Sequence, residues 1–178
     1  MNSPLMMRPP HAGEAARLAR VHTTSWKQAY QGVLPDRFWD AEALTDRVRM
    51  WSEVIADQEH RSCARVAELN GNIIGVAMVA DPRDDDVEAE TELLLIYLLA
   101  EHYGSGAADA LLTDLLGEAS ASLWVLKSNQ RAQAFYRKHG FAPDGEEIDL
   151  GGGRSSSALA GICEIRMTRP SRAAEQEH

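Results

Sequence analysis

Apolar residues at helical spacing dominate the first third of the chain. In residues 14–30, Leu18, Val21 and Trp26 can share one broad face, which predicts an amphipathic helix. A short strand at residues 5–8, stopped by two prolines, is predicted before it. A second helical region follows, because Val48, Trp51, Val54 and Ile55 recur at the same spacing.

Strand patterns replace the helical ones in the middle of the chain. The β-like runs at residues 61–69 and 72–80 flank Asn70-Gly71, the strongest short signal for a hairpin. The acidic stretch at residues 81–90 is predicted to be a solvated loop, or alternatively to attract a cationic acceptor. A strand at residues 91–99 then leads through a glycine turn into a helix at about residues 106–117.

The last third predicts a strand, a helix and two closing strands. Residues 122–126 form an apolar strand, and Asn129 can cap a helix that ends before Gly140. Two further strands are predicted within residues 141–150 and 162–170, joined by a flexible Gly/Ser-rich connection. The element order predicts a mixed α/β (α+β) fold in a single domain over residues 1–178, with an early antiparallel meander and a late βαβ crossing.

Charge and cysteine content narrow the class of protein. The 178 residues include 18 Lys and Arg against 27 Asp and Glu, a formal charge of −9, which argues against a nucleic-acid partner. The only cysteines, Cys63 and Cys163, are too few for a metal cluster or a disulfide framework. No apolar run reaches the ~20 residues of a membrane helix. We therefore expect a cytoplasmic protein with no metal and no membrane partner, and leave a homodimer open.

The glycine turn "EHYGSGAADALL" suggests a bound anion. Asp109 stands where a dinucleotide fingerprint needs its third glycine, and the turn contains neither a P-loop triplet nor a nucleophile elbow. What remains is a helix start with bare backbone amides at Gly104 and Gly106, which suits a pyrophosphate. The alternative is that the glycines only let the helix pack closely on the strand.

The stretch "IYLLAEHYGSGAADALL" resembles the acyl-CoA-binding motif of the GNAT superfamily of N-acetyltransferases. Gly106 and Ala108 match the fourth and sixth places of the family's six-residue turn. Tyr103 replaces the Arg or Gln of the first place, and Ser105 replaces a residue that is often basic. Both departures remove positive charge from the expected pyrophosphate site.

Two other segments extend the resemblance to roughly residues 4–169, leaving 170–178 as a flexible tail. "VHTTSWKQAYQGVLPDRF" is similar to the first-helix segment of bacterial small-molecule members, and "LWVLKSNQRAQAFYRKHGFAPDGEEIDLGG" to the family's second half. The resemblance implies a mostly antiparallel central sheet flanked by helices, with a splayed strand pair that holds the CoA.

The resemblance also implies roles for individual residues in acetyl transfer from acetyl-CoA, the expected co-substrate, to the primary amine of a small molecule. Tyr136 matches the family's general acid toward the CoA sulfur. Glu92 matches the base, which acts directly or through water, with His22 and His102 as rivals. The implied CoA-binding residues are Ile96, Tyr97, Leu98, Tyr103, Gly104, Ser105, Gly106, Ala107, Ala108 and Asn129, and the implied substrate-binding residues are Trp26 and Tyr30.

Two other functions stay open at this point. One is a CoA-binding regulatory or interaction module with degenerate catalysis, which the changes at Tyr103 and Ser105 favour. The other is acetylation of a protein N-terminus.

Overall fold

The computed structural model describes residues 4–152 and 159–171, and its elements follow the predicted order. The predicted connection at 153–158 and the tail at 172–178 lie outside the described residues. The helices are α1 (Ala15–Tyr30), α2 (Ala41–Ala56), α3 (Gln58–Ser62), α4 (Ala107–Leu116) and α5 (Gln130–Lys138). The strands are β1 (Met6–Arg8), β2 (Ala64–Leu69), β3 (Asn72–Ala80), β4 (Thr91–Leu98), β5 (Ala121–Leu126), β6 (Ala142–Asp149) and β7 (Cys163–Arg169).

The seven strands form a mixed, mostly antiparallel sheet in the order β1-β2-β3-β4-β5-β7-β6, which confirms the predicted fold class. The predicted hairpin joins β2 to β3, and Asn70 and Gly71 both adopt positive φ angles, of 52° and 77°, as a type I′ turn requires. Strands β4 and β5 are parallel and are connected through α4. Their ladder joins Thr91 to Ala121 and Glu92 to Ser122.

The chain forms two compact units, and the predicted single domain over residues 1–178 stays a prediction. Unit 1 comprises Met1–Val79 and Leu95–Gly117. One of its apolar clusters packs α1 and α2 on the strands through Leu18, Trp51 and Val76. Another packs α4 on the strands through Ile74, Leu98 and Leu111. Helices therefore bury apolar residues of these strands in two separate clusters.

Unit 2 comprises Ala80–Leu94 and Glu118–His178, and it holds the acidic segment in place. Arg166, only 5% exposed, donates to Asp86 at 2.8 and 3.0 Å and to Asp144 at 2.6 Å. Asp84 lies 3.4 Å from the same guanidinium and accepts a hydrogen bond from Trp124 Nε1 at 2.9 Å. The acidic segment stays solvated at Asp86, whose side chain is 66% exposed, but a buried arginine also binds it and neutralises part of its charge.

Three simpler features concern the described residues alone. None of the helices there is long and apolar enough to cross a membrane. Cys63 and Cys163 are free thiols. No group of three or more His, Cys, Asp or Glu residues within 4–152 and 159–171 is arranged to hold a metal ion.

Candidate active site

The glycine turn of unit 1 presents backbone to open space at the start of α4. Gly104 and Gly106 have φ angles of +77° and +84°, which L side chains rarely adopt. A Cβ atom at either position would meet no atom within 4 Å, so close helix packing does not explain these glycines. Ala110 N donates to Gly106 O at 3.0 Å in the first turn of this helix. The preceding amides belong to the helix's first turn, where an anion is stabilised.

The side chains at the turn leave this backbone accessible. Tyr103 is 37% exposed. Ser105 Oγ accepts a hydrogen bond from the amide of Ala107 at 3.3 Å, while Ala107 is buried and Ala108 half-buried. Ser105 therefore satisfies one amide at the helix start, in the place where a basic residue would add positive charge.

The strand before the turn is drawn close to β3 by a glycine. A Cβ atom at Gly75 would lie 2.8 Å from Leu98 Cδ1 and 2.9 Å from Tyr97 O, so only glycine fits there. Leu99 N donates to Ile74 O at 2.9 Å just beyond this point. Ile96, Tyr97 and Leu98, the predicted partners of pantetheine, thus lie on a strand whose position depends on Gly75.

Both predicted substrate-binding residues belong to an aromatic cluster in unit 1, formed by His22, Trp26, Tyr30, Phe38 and Tyr97. Trp26 is its centre, with ring centroids 5.4 Å from Tyr30, 5.8 Å from Phe38 and 6.0 Å from Tyr97. Tyr97 stacks on His22 at 4.8 Å. The structure therefore brings Trp26 and Tyr30 together with Tyr97, which was predicted on the CoA side.

His22 of the aromatic cluster is unsuited to act as a base. It is 6% exposed, and its Nδ1 has no hydrogen-bond partner among the described residues. Burial, with a smaller contribution from the charge of Arg47, lowers the pKa of His22 to about 3. The imidazole is therefore neutral at pH 7 and binds a proton too weakly to take one from an ammonium group.

In unit 2, Tyr136 lies on α5 with its side chain largely buried. The residue is 9% exposed, and its ring lies 5.5 Å from Phe135 and 5.9 Å from Phe141. These rings fix the position of the phenol, as a hydrogen-bond donor in a reaction requires. Asn129 begins the same helix and accepts a hydrogen bond from Ala132 N at 3.0 Å, so the predicted cap is confirmed.

Glu92 is almost fully buried and bound to an arginine that the sequence analysis did not single out. It is 1% exposed; Oε1 accepts from Arg83 Nε at 2.7 Å, and Oε2 accepts from the Arg83 backbone amide at 2.9 Å. Arg83 therefore occupies both oxygens of the predicted base with charge-assisted hydrogen bonds.

A second carboxylate of unit 2 was missed altogether. Glu164 lies on β7 opposite Leu126 of β5, close enough to Arg83 and Glu92 for their charges to act on it. Burial is the main cause that raises the pKa of Glu164. The signal in the sequence was a glutamate inside the otherwise apolar start "ICEI" of a closing strand.

Comparison with known families identifies the chain. The family model described as "Acetyltransferase (GNAT) family" matches residues 19–141, more than half of the chain. The protein belongs to the GNAT acetyltransferase family. A protein named "Uncharacterized N-acetyltransferase Rv2669", from Mycobacterium tuberculosis (strain ATCC 25618 / H37Rv), is 40% identical over 114 residues, which cover 61% of this chain and 67% of the relative.

Solved structures have the same fold as this GNAT acetyltransferase. The PaiA N-acetyltransferase of Thermoplasma acidophilum in complex with coenzyme A is 20% identical with a TM-score of 0.64, and the match covers 94% of this chain and 99% of that one. Naa20 of Chaetomium thermophilum, in complex with a bisubstrate analogue, is also 20% identical, with a TM-score of 0.66 and coverage of 97% and 90%. At this level of identity the likeness shows the fold alone.

Proposed function

We propose that this GNAT acetyltransferase transfers the acetyl group of acetyl-CoA to the primary amine of a small molecule, by direct attack in a ternary complex. The observation that carries the proposal is the turn at Gly104 and Gly106, where two exposed glycines with positive φ angles leave open space beside the backbone before α4. Such a turn fits a pyrophosphate, because the amides and the helix dipole supply positive charge without a basic side chain. The free cysteines agree with the cytoplasm as its compartment.

Different residues of the chain would bind different parts of acetyl-CoA. The turn from Tyr103 to Ala108 would hold the pyrophosphate, and the backbone of Ile96, Tyr97 and Leu98 would pair with the amides of pantetheine. Asn129 would add a contact to the same arm while it caps α5. Holding the reactants in line would itself lower the barrier, by as much as roughly 7–11 kcal/mol for ideal alignment.

Two residues of unit 2 would serve proton transfer. Tyr136 would donate a hydrogen bond to the sulfur as it becomes a thiolate. For the base, Glu92 is the candidate from the sequence, and Glu164 is the candidate that the structure adds. Arg83 occupies both oxygens of Glu92, whereas burial raises the pKa of Glu164, as suits a group that accepts a proton, so we favour Glu164.

Acetyl-CoA should raise the melting temperature of the protein. At 100 times the dissociation constant the stabilisation should be about 2.7 kcal/mol. Gly106→Val should abolish this shift, because a side chain would block the approach of the pyrophosphate to the backbone. The measurement is a thermal melt with and without acetyl-CoA, followed by thiol release over a panel of amines.

Gly13→Val is the matched control for this experiment. Gly13 has a φ angle of +83° with open space around its Cβ position, so both variants carry the same backbone strain, about 1–2 kcal/mol. The Gly13 variant should keep the shift. If acetyl-CoA leaves the wild-type melt unmoved, the proposal fails; firm binding without turnover of any amine would instead favour the regulatory module.

Glu164→Gln should lower kcat/KM about 100-fold and remove the acidic limb of its pH profile. Glu92→Gln should lower kcat/KM by a smaller factor. The reason is that a glutamine keeps the shape of each site but cannot take a proton. The measurement is kcat/KM against pH for both variants, with the exposed Glu146→Gln as control. A larger loss in Glu92→Gln would assign the base to Glu92.

A further inference from the structure

Arg47 is a cation of unit 1 that lies against the aromatic cluster, and no described residue is an acidic partner for it. Its guanidinium carbon is 4.9 Å from the ring centroid of Trp26. Nη1 donates to Phe38 O at 2.6 Å and to Thr23 Oγ1 at 3.3 Å. Within 4–152 and 159–171, no carboxylate lies within 4 Å of this guanidinium.

The hydrogen bonds of Arg47 are incomplete in a way that suits a ligand. A guanidinium has five N–H donors, and the two bonds described both come from Nη1. Burial lowers the pKa of Arg47 from its usual value, as expected for a charge that is partly removed from water and not neutralised. Its Nε and Nη2 edge is the planar fork that binds carboxylates in a bidentate manner.

Three polar side-chain atoms of α1 have no hydrogen-bond partner among the described residues. His22 Nδ1, Ser25 Oγ and Trp26 Nε1 are all buried and make no hydrogen bond within the described part of the chain. Residues 22, 25 and 26 share one face of α1, because they are three and four positions apart. Since buried polar groups are nearly always paired, a polar molecule in this region would satisfy atoms that the protein leaves unmatched.

We propose that Arg47 binds the carboxylate of the acceptor, so that the acceptor is a small amine that also carries a carboxylate, of the amino-acid class. The inference rests on the proposed acetyl transfer and names the substrate class of that reaction. The aromatic cluster would contact the body of the molecule, and the buried donors and acceptors of α1 would bind its polar groups.

The acidic residues around Arg47 do not cancel its charge. Together with Arg47, three acidic residues line a shallow concavity: Asp40, Glu42 and Asp46. Asp40 caps α2 by accepting from Ala43 N, and Asp46 pairs with Arg49 at 3.2 Å. The net charge of −9 does not attract an anion from a distance, so the preference for a carboxylate must come from contact with Arg47.

The experiment compares each of several amino acids with its own amide, which has the same amine and side chain but no carboxylate. The quantity is the ratio of kcat/KM for acid and amide in the wild type divided by that ratio in Arg47→Gln. Because each compound is its own reference, differences in amine reactivity cancel. Loss of a charge-assisted pair should lower the acid-to-amide ratio of Arg47→Gln about 10- to 100-fold, so the quantity should be about 10 to 100.

Controls separate specificity from folding. Arg20→Gln, at an exposed arginine of α1, should leave the acid-to-amide ratio unchanged. Arg47→Lys keeps the charge but not the planar fork, so it should lower the acid-to-amide ratio less than Arg47→Gln does. Both Arg47 variants should keep the melting shift with acetyl-CoA, which reports on the turn and on a folded unit 1.

A direct binding measurement keeps the inference testable without turnover. N-acetyl amino acids and their amides are titrated calorimetrically into the wild type and Arg47→Gln in the presence of CoA. Tighter binding of the acids by the wild type alone supports the inference. Equal use or binding of acids and amides by the wild type would overturn it while leaving acetyl transfer intact, whereas carboxylate binding without acetylation of any amine would count against the proposed function.

Discussion

Tyr136→Phe should lower kcat about 100-fold, a loss of roughly 2.7 kcal/mol in transition-state stabilisation. The expected loss arises because the phenol donates a hydrogen bond to the sulfur only as negative charge develops there. Acetyl-CoA affinity should therefore change little, since the ground-state thioester carries no such charge. The measurement is the rate of thiol release with an accepted amine, together with a binding isotherm for acetyl-CoA.

The same substitution should leave the fold intact. Phenylalanine keeps the ring that packs against Phe135 and Phe141, so the melting temperature should stay close to the wild-type value. Phe135→Leu serves as the control, because it alters the packing beside Tyr136 without removing the hydroxyl. A Tyr136→Phe protein that turns over at the wild-type rate would exclude this residue from the chemistry.

Acid should destabilise the wild type through His22 more than it destabilises a variant without this imidazole. The folded protein holds His22 neutral, with a pKa of about 3 against an ordinary value of 6.5. Below pH 6.5 the imidazole is therefore protonated in the unfolded chain but not in the folded chain, and stability is lost as the pH falls. Each pH unit costs about 1.4 kcal/mol, so the loss at pH 4.5 is roughly 2.7 kcal/mol.

The measurement is the free energy of unfolding at pH 7.5 and 4.5, obtained by denaturant titration. His22→Phe can stack on Tyr97, and its loss of stability between the two pH values should be smaller than that of the wild type by about this amount. His22→Gln is a second variant in case the larger ring does not fit. His60→Gln, whose side chain is 72% exposed, should behave like the wild type, and an identical pH dependence in all four proteins would refute the prediction.

The elements that the sequence predicted correctly are those with local causes. The hairpin at Asn70-Gly71 depends on two residues that tolerate positive φ, and the start of α5 depends on the Asn129 side chain and an amide three residues on. The glycine turn was recognisable for the same reason, because Gly104 and Gly106 lie next to the helix that they open. Each signal lies within a few positions of its effect.

The residues that the sequence left undefined depend on contacts between distant positions. Arg166 binds Asp86, 80 positions earlier. No residue near the acidic loop in the sequence therefore indicates this contact. The same is true of Arg47, which meets Trp26 and Thr23 only when α1 and α2 pack together. His22 was considered as a rival base on a helix face, and only tertiary packing shows that it is buried.

The bonds of Arg166 also bear on the order in which the chain can fold during synthesis. Arg166 lies on β7, and Asp84 and Asp86 leave the ribosome about 80 residues before it. Until β7 emerges, these carboxylates have no buried cation to pair with and remain in water. Unit 2 is thus completed after unit 1, all of whose segments have been synthesised once residue 117 has left the ribosome.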